Sequence, residues 1–158
     1  MQVALGPLDT TVFIASKSGR PLRTDLLPDE SVISAVTLAE LQAGVLAAAD
    51  TETRARRLAT LDTASSIAVL PIDADVAAHW ARLRVHLAEA GRRVNVNDLW
   101  IAATAAAHGI PIVTQDADFD PLDGAAGIAL IRVSPPPHER GSRDAPLTPT
   151  RSSPAAST

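Results

Sequence analysis

Residues 97–120 read NDLWIAATAAAHGIPIVTQDADFD, and this stretch decides the fold. From Asn97 to His108 the residues are mostly apolar or small, and the helix they predict is closed by Gly109 and then Pro111. Ile110 to Thr114 follows as a short apolar run of the kind that fills a strand covered on both faces. Directly past its end stand Asp116 and Asp118. A helix, a sharp stop and a buried strand with an acid at its end make one repeat of an alternating α/β chain.

The alternation continues outward. Residues 3–8 (VALGPL) predict a short first strand, marred by Gly6 and by Pro7, which fits only an edge or an early strand position. Asp9-Thr10-Thr11 opens a helix through about Lys17, ended near Gly19-Arg20-Pro21. Residues 31–35 (SVISA) and 67–72 (IAVLPI) predict two more strands, and Gly127 to Val133 a last one. Between them fall an amphipathic helix from Thr37 to Ala49, with Leu38, Leu41, Val45 and Leu46 on one face, and an arginine-rich helix from Asp50 to Ala64. Asp73 to Ala90 reads as a long helix with Val76, Trp80, Leu83 and Leu87 inward, ended by Gly91. The pattern predicts an α/β domain over residues 1–133, in three layers, with a central, mostly parallel sheet flanked by helices. Residues 134–158 are dense in proline, serine, threonine and arginine, lack apolar periodicity and read as a disordered tail.

Composition narrows the chemistry. The chain has 158 residues, 46% of them hydrophobic, which is enough for one ordinary core. Cysteine is absent, which removes disulfides, thiolate zinc sites and cysteine nucleophiles together. No basic segment precedes a long apolar stretch, so neither a signal peptide nor a membrane span is expected, and a cytoplasmic location is. A net charge of −4 argues against a general nucleic-acid coat. Arginines fall in groups (Arg54, Arg56 and Arg57; Arg82 and Arg84; Arg92 and Arg93), although a GC-rich genome would also yield an arginine and alanine excess. With aromatics at 3% and no tyrosine, base stacking on an aromatic platform is not expected.

Four acids, Asp9, Glu40, Asp98 and Asp116, each sit at an element boundary, in LDTTVFIA, SAVTLAELQAG, NVNDLWIAATA and PIVTQDADFD. Taken singly, each has a structural role open to it. Asp9 can cap a helix, Thr37-x-x-Glu40 and Asn95-x-x-Asp98 match capping boxes, and Asp116 and Asp118 can make local turns. Taken together, in a parallel sheet, they fall at the edge where ligands bind. Gathered carboxylates repel one another unless a cation sits among them, while a helix N-terminus offsets only ~0.3–1 kcal/mol of that. Oxygen donors without cysteine or a histidine pair suit Mg²⁺ or Mn²⁺. The histidines, at 79, 86, 108 and 138, show no metal-ligand spacing.

In combination, LDTTVFIA, AELQAG, NDLWIAATA and VTQDADFD resemble the PIN domain, and within it the VapC-type ribonuclease toxins of toxin–antitoxin pairs. The resemblance spans roughly residues 5–133, and the order and spacing of its short motifs are specific. It implies that Asp9, Glu40, Asp98 and Asp116 bind Mg²⁺ or Mn²⁺ and hydrolyse RNA phosphodiesters. Thr10 and Thr114 match positions where a hydroxyl lines the site, Asn97 flanks the third acid, and Asp118 is an alternative or an addition to Asp116. It further implies a homodimer held inactive by a cognate VapB-like antitoxin. Gly6-Pro7 and the proline-rich tail depart from the family pattern.

Other readings fit less well. An aspartyl-phosphate phosphatase of the haloacid dehalogenase type needs a second aspartate two residues after the first, where Thr11 stands. An RNase H-like fold needs long antiparallel opening strands. A non-catalytic interaction module of the same fold would have no need of all four acids. No serine lies in a GxSxG elbow, so covalent catalysis is not expected.

Overall fold

The computed structural model describes residues 5–7, 12 and 21–134. In chain order these form β1 (Leu5–Pro7), β2 (Glu30–Ser34), α1 (Ala35–Leu46), α2 (Thr51–Ser65), β3 (Ala68–Leu70), α3 (Ala74–Glu89), α4 (Val96–His108), β4 (Ile112–Thr114) and β5 (Leu130–Arg132). Short 3-10 turns at Thr24–Leu26, Ala117–Leu122 and Ala125–Gly127 complete the set. Among the described residues the expected strands and later helices are present with shifted ends. The first helix starts two residues earlier than the amphipathic pattern predicts, because Ser34 and not Thr37 caps it. Leu46, on the apolar face of this helix, is 82% exposed at its end. Asp9, Thr10, all of the opening helix except Val12, and the tail from residue 135 lie outside the described residues.

Every ladder is parallel: β1 pairs with β2, β2 with β3, and β4 with β5. Side chains alternate across a strand, and β4 shows what that does here. Ile112 packs into a cluster with Val76, Leu83 and Leu87 of α3 and Leu99 to Ala105 of α4. Its neighbour Val113 packs into a second cluster with Val12, Ile33, Leu41 and Ala64. One three-residue strand therefore separates two cores, which is the expected three-layer α/β arrangement. No helix among the described residues is long and apolar enough to cross a membrane.

The Gly6-Pro7 departure has a packing cause. The two pieces of sheet meet where β1 lies beside β4. A Cβ on Gly6 would stand 3.1 Å from Val113 Cγ2 and 3.3 Å from the Pro111 carbonyl oxygen. Glycine in a strand marks such close backbone approach, and Pro7 has no N–H for a further ladder.

Helix ends follow local rules. Gly109 ends α4 in the left-handed region at φ 62°, and its N–H satisfies carbonyls of the last turn. Asp50 caps α2 by accepting from Thr53 N–H at 2.7 Å, which holds its carboxyl below the usual carboxylate range. Asp73 caps α3 through Val76 N–H at 3.0 Å.

Gly6→Ala is expected to cost about 1–3 kcal/mol, since neither a buried valine nor a backbone carbonyl can retreat freely. Gly44→Ala, mid-helix with its nearest neighbour 3.9 Å from the new Cβ, is expected to gain about 0.5–1 kcal/mol. Urea midpoints of the two variants should move in opposite directions.

Candidate active site

Parallel strands bring their carboxyl ends to one edge, where ligands bind in such folds. β4 ends at Thr114, a fully buried residue whose hydroxyl accepts from the Asp116 N–H at 3.0 Å. Asp116 is half-buried and opens the Ala117–Leu122 turn, yet its side chain makes no capping hydrogen bond there. Asp118 stands exposed in that turn, while Phe119 beside it is buried.

Glu40 lies in the second turn of α1. The Thr37–Glu40 capping box does not form: Ser34 Oγ accepts from Thr37 N–H at 3.0 Å and meets the Thr37 hydroxyl at 3.0 Å. Glu40 instead accepts from Asn97 Nδ2 at 2.8 Å, a contact between residues 57 apart in the chain. Helix α4 begins one residue earlier than expected, capped by Asn95, whose Oδ1 accepts from Asn97 N–H at 2.8 Å. Asp98 is thus the third residue of α4 and is half-buried in its first turn, where a carboxylate is favoured by the helix dipole. Only three residues separate α4 from β4, so the helix folds back along the strand and its N-terminal end lies toward the strand's carboxyl edge.

The contacts of two arginines at this edge were invisible in sequence. Arg132 sits opposite Thr114 in the parallel register. Its guanidinium donates to the Asp116 carbonyl at 3.1 Å and forms an ion pair with Asp120. Arg92 reaches the Pro121 carbonyl at 3.5 Å. An arginine at a strand end offers no periodic signal, and only strand register could have paired it with the loop.

The structure thus joins Glu40 to the start of α4, and Asp116 to Thr114 and Arg132. Asp9 and Thr10, just after β1, lie outside the described residues. Among the described residues no three acids or histidines are grouped closely enough to hold a metal, so Glu40, Asp98 and Asp116 do not close a cage alone. The available donors are nonetheless half-buried carboxylate oxygens. His79 and His108 contact carbonyls within their own helices, at 2.9 Å and 2.8 Å. Such a donor set fits a hard divalent cation.

This chain belongs to the PIN-domain family: the family profile matches residues 8–125, a span that contains all four acids. It is 59% identical over 130 residues to ribonuclease VapC5 of Mycobacterium tuberculosis, covering 82% of this chain and 96% of that protein. It is 45% identical over 119 residues to ribonuclease VapC4 of the same organism, covering 75% and 92% respectively. Its fold superposes with a TM-score of 0.77, at 57% identity, on the crystal structure of VapBC-5, a member of the VapBC family of toxin–antitoxin systems from M. tuberculosis, covering 82% of this chain and 99% of that one.

Removing the Arg132 guanidinium should loosen the loop without unfolding the domain, because an exposed ion pair contributes only about 0–1 kcal/mol. Arg132→Ala is expected to keep its melting temperature within a few degrees while amides 117–122 exchange faster with solvent. Hydrogen-exchange mass spectrometry reads both halves of this expectation.

Proposed function

We propose that this chain is a divalent-metal-dependent endoribonuclease that hydrolyses RNA phosphodiester bonds as the toxin of a VapBC-type pair. The observation that carries this reading is 59% identity to a protein named a ribonuclease, over 96% of that protein's length. The local geometry supports it. The alternative local roles fall away for two of the acids, since Ser34 caps the helix that carries Glu40 and Asp116 makes no capping bond.

Asp9, Asp98 and Asp116 are proposed to hold Mg²⁺ or Mn²⁺, with Glu40 completing the outer coordination or orienting the attacking water as a base. When bound, the cation lowers the pKa of a water and offsets charge on the phosphoryl oxygens. The protein's part is to hold the segments that carry its carboxylates still. Thr114 does so for Asp116 by anchoring its backbone N–H, and Arg132 by binding its carbonyl. Thr10 is proposed to line the same edge, and Asp118 to supplement Asp116 from the turn.

The proposed partners are RNA, a VapB-like antitoxin and a second copy of the chain. Leu46 and Leu58, 82% and 45% exposed on the α1–α2 hairpin, supply apolar surface for a protein contact.

The test is cleavage of transfer RNA and total RNA by the purified chain with Mg²⁺, Mn²⁺ or EDTA, beside Asp98→Asn. Discrete products are expected that need the metal and disappear in the variant, whose volume is nearly unchanged. Cleavage that persists in Asp98→Asn at the parent rate would remove this acid from the site. A folded parent that cleaves nothing under any metal would overturn the nuclease reading.

A further inference from the structure

Resting on the reading of the acidic edge as a metal-dependent nuclease site, we propose that Asn97 is a positioning residue whose side-chain amide sets the Glu40 carboxylate for the cation. Asn97 Nδ2 donates to Glu40 Oε1 at 2.8 Å, joining the second turn of α1 to the first turn of α4. A carboxylate can only accept, so the amide presents its N–H₂ and not its carbonyl to Glu40. The residue is itself anchored from behind, because its backbone N–H donates to Asn95 Oδ1 at 2.8 Å. The helix cap therefore fixes the point from which the amide reaches.

The neutrality of the amide matters. An arginine or lysine at this position would hold Glu40 as firmly, but its charge would compete with a divalent cation for the same carboxylate. Asparagine orients the oxygen and leaves its negative charge in place. The two arginines fastened to this edge are engaged on other groups. Arg92 donates to the Pro121 carbonyl, and Arg132 binds the Asp116 carbonyl and the Asp120 carboxylate.

Asn97 is exposed, so its hydrogen bond competes with water and contributes little to stability. Its effect belongs in cation affinity, where groups that orient a ligating carboxylate act. The residue is an outer partner of the site and touches no reacting atom in this assignment.

The test is Mn²⁺ binding by the purified chain, measured by calorimetry and by electron paramagnetic resonance, with melting temperatures alongside. The variants are Asn97→Ala, Asn97→Gln, Glu40→Gln, Asp98→Asn and the double variant Asn97→Ala/Glu40→Gln. Asn97→Ala is expected to weaken Mn²⁺ binding about 10–100-fold at an unchanged melting temperature, with the amide-retaining Asn97→Gln in between. The double variant should bind no worse than Glu40→Gln alone, since the amide acts through the carboxylate. The proposal is overturned if Asn97→Ala binds Mn²⁺ within about two-fold of the parent, or if it loses the same factor in the Glu40→Gln background. Should Asp98→Asn lose Mn²⁺ while Asn97→Ala keeps it, only the positioning role fails and the metal site stands. If no acid substitution changes Mn²⁺ binding, the metal reading falls and the positioning role with it.

Discussion

The closest constraint in the molecule is the seam where β1 lies against β4. Gly6 leaves room there for Val113 and for the Pro111 carbonyl, at distances that a side chain would occupy. Asp9 follows β1 by two residues and Asp116 follows β4 by two. Both acids are therefore close in sequence to the seam. A wider seam would also open the sheet between its two cores, since Val113 belongs to one and Ile112 to the other. Close packing at the seam thus serves both cores at once.

The two helices that carry Glu40 and Asp98 do not take their N-terminal caps from acids. The helices at the edge, α1 and α4, are capped by the neutral Ser34 and Asn95. The other two helices, α2 and α3, are capped by Asp50 and Asp73, and α3 starts just past the carboxyl end of β3. A capping carboxylate has its lone pairs engaged by backbone amides, which makes it a poorer ligand for anything else. With Ser34 and Asn95 as caps, Glu40 falls in the second turn of its helix and Asp98 in the first turn of its own. The polar contacts that hold the edge follow the same logic: amides and carbonyls predominate, and the Arg132 ion pair engages Asp120, a residue outside the acid set.

How much of this could be read in advance depended on the range of the interaction. The helix–stop–strand pattern of residues 97–114 was legible because periodicity and Gly109 act within a few residues. Val76, Leu83 and Leu87 were placed inward for the same reason and are buried. Spacing alone could not say whether Leu46 faces the core, because apolar spacing continues past the point where α1 leaves it. The capping box at Thr37 was a correct local pattern that a better-placed cap three residues earlier displaced. Gly6 and Pro7 looked like blemishes in a strand until the neighbouring strand supplied the reason for them.

By itself the sequence determined the alternation of strand and helix, hence a parallel α/β domain, and an acid set with oxygen as its only donor type. Tertiary structure decided that Ser34 and not Thr37 caps the helix carrying Glu40. It also decided that Asn97 meets Glu40 across 57 residues of chain, and that Arg132 meets Asp116 across 16. Periodicity and propensity report on neighbours within one element. Hydrogen bonds and close contacts act over about 3 Å between elements, so their partners exist only once the chain has closed on itself.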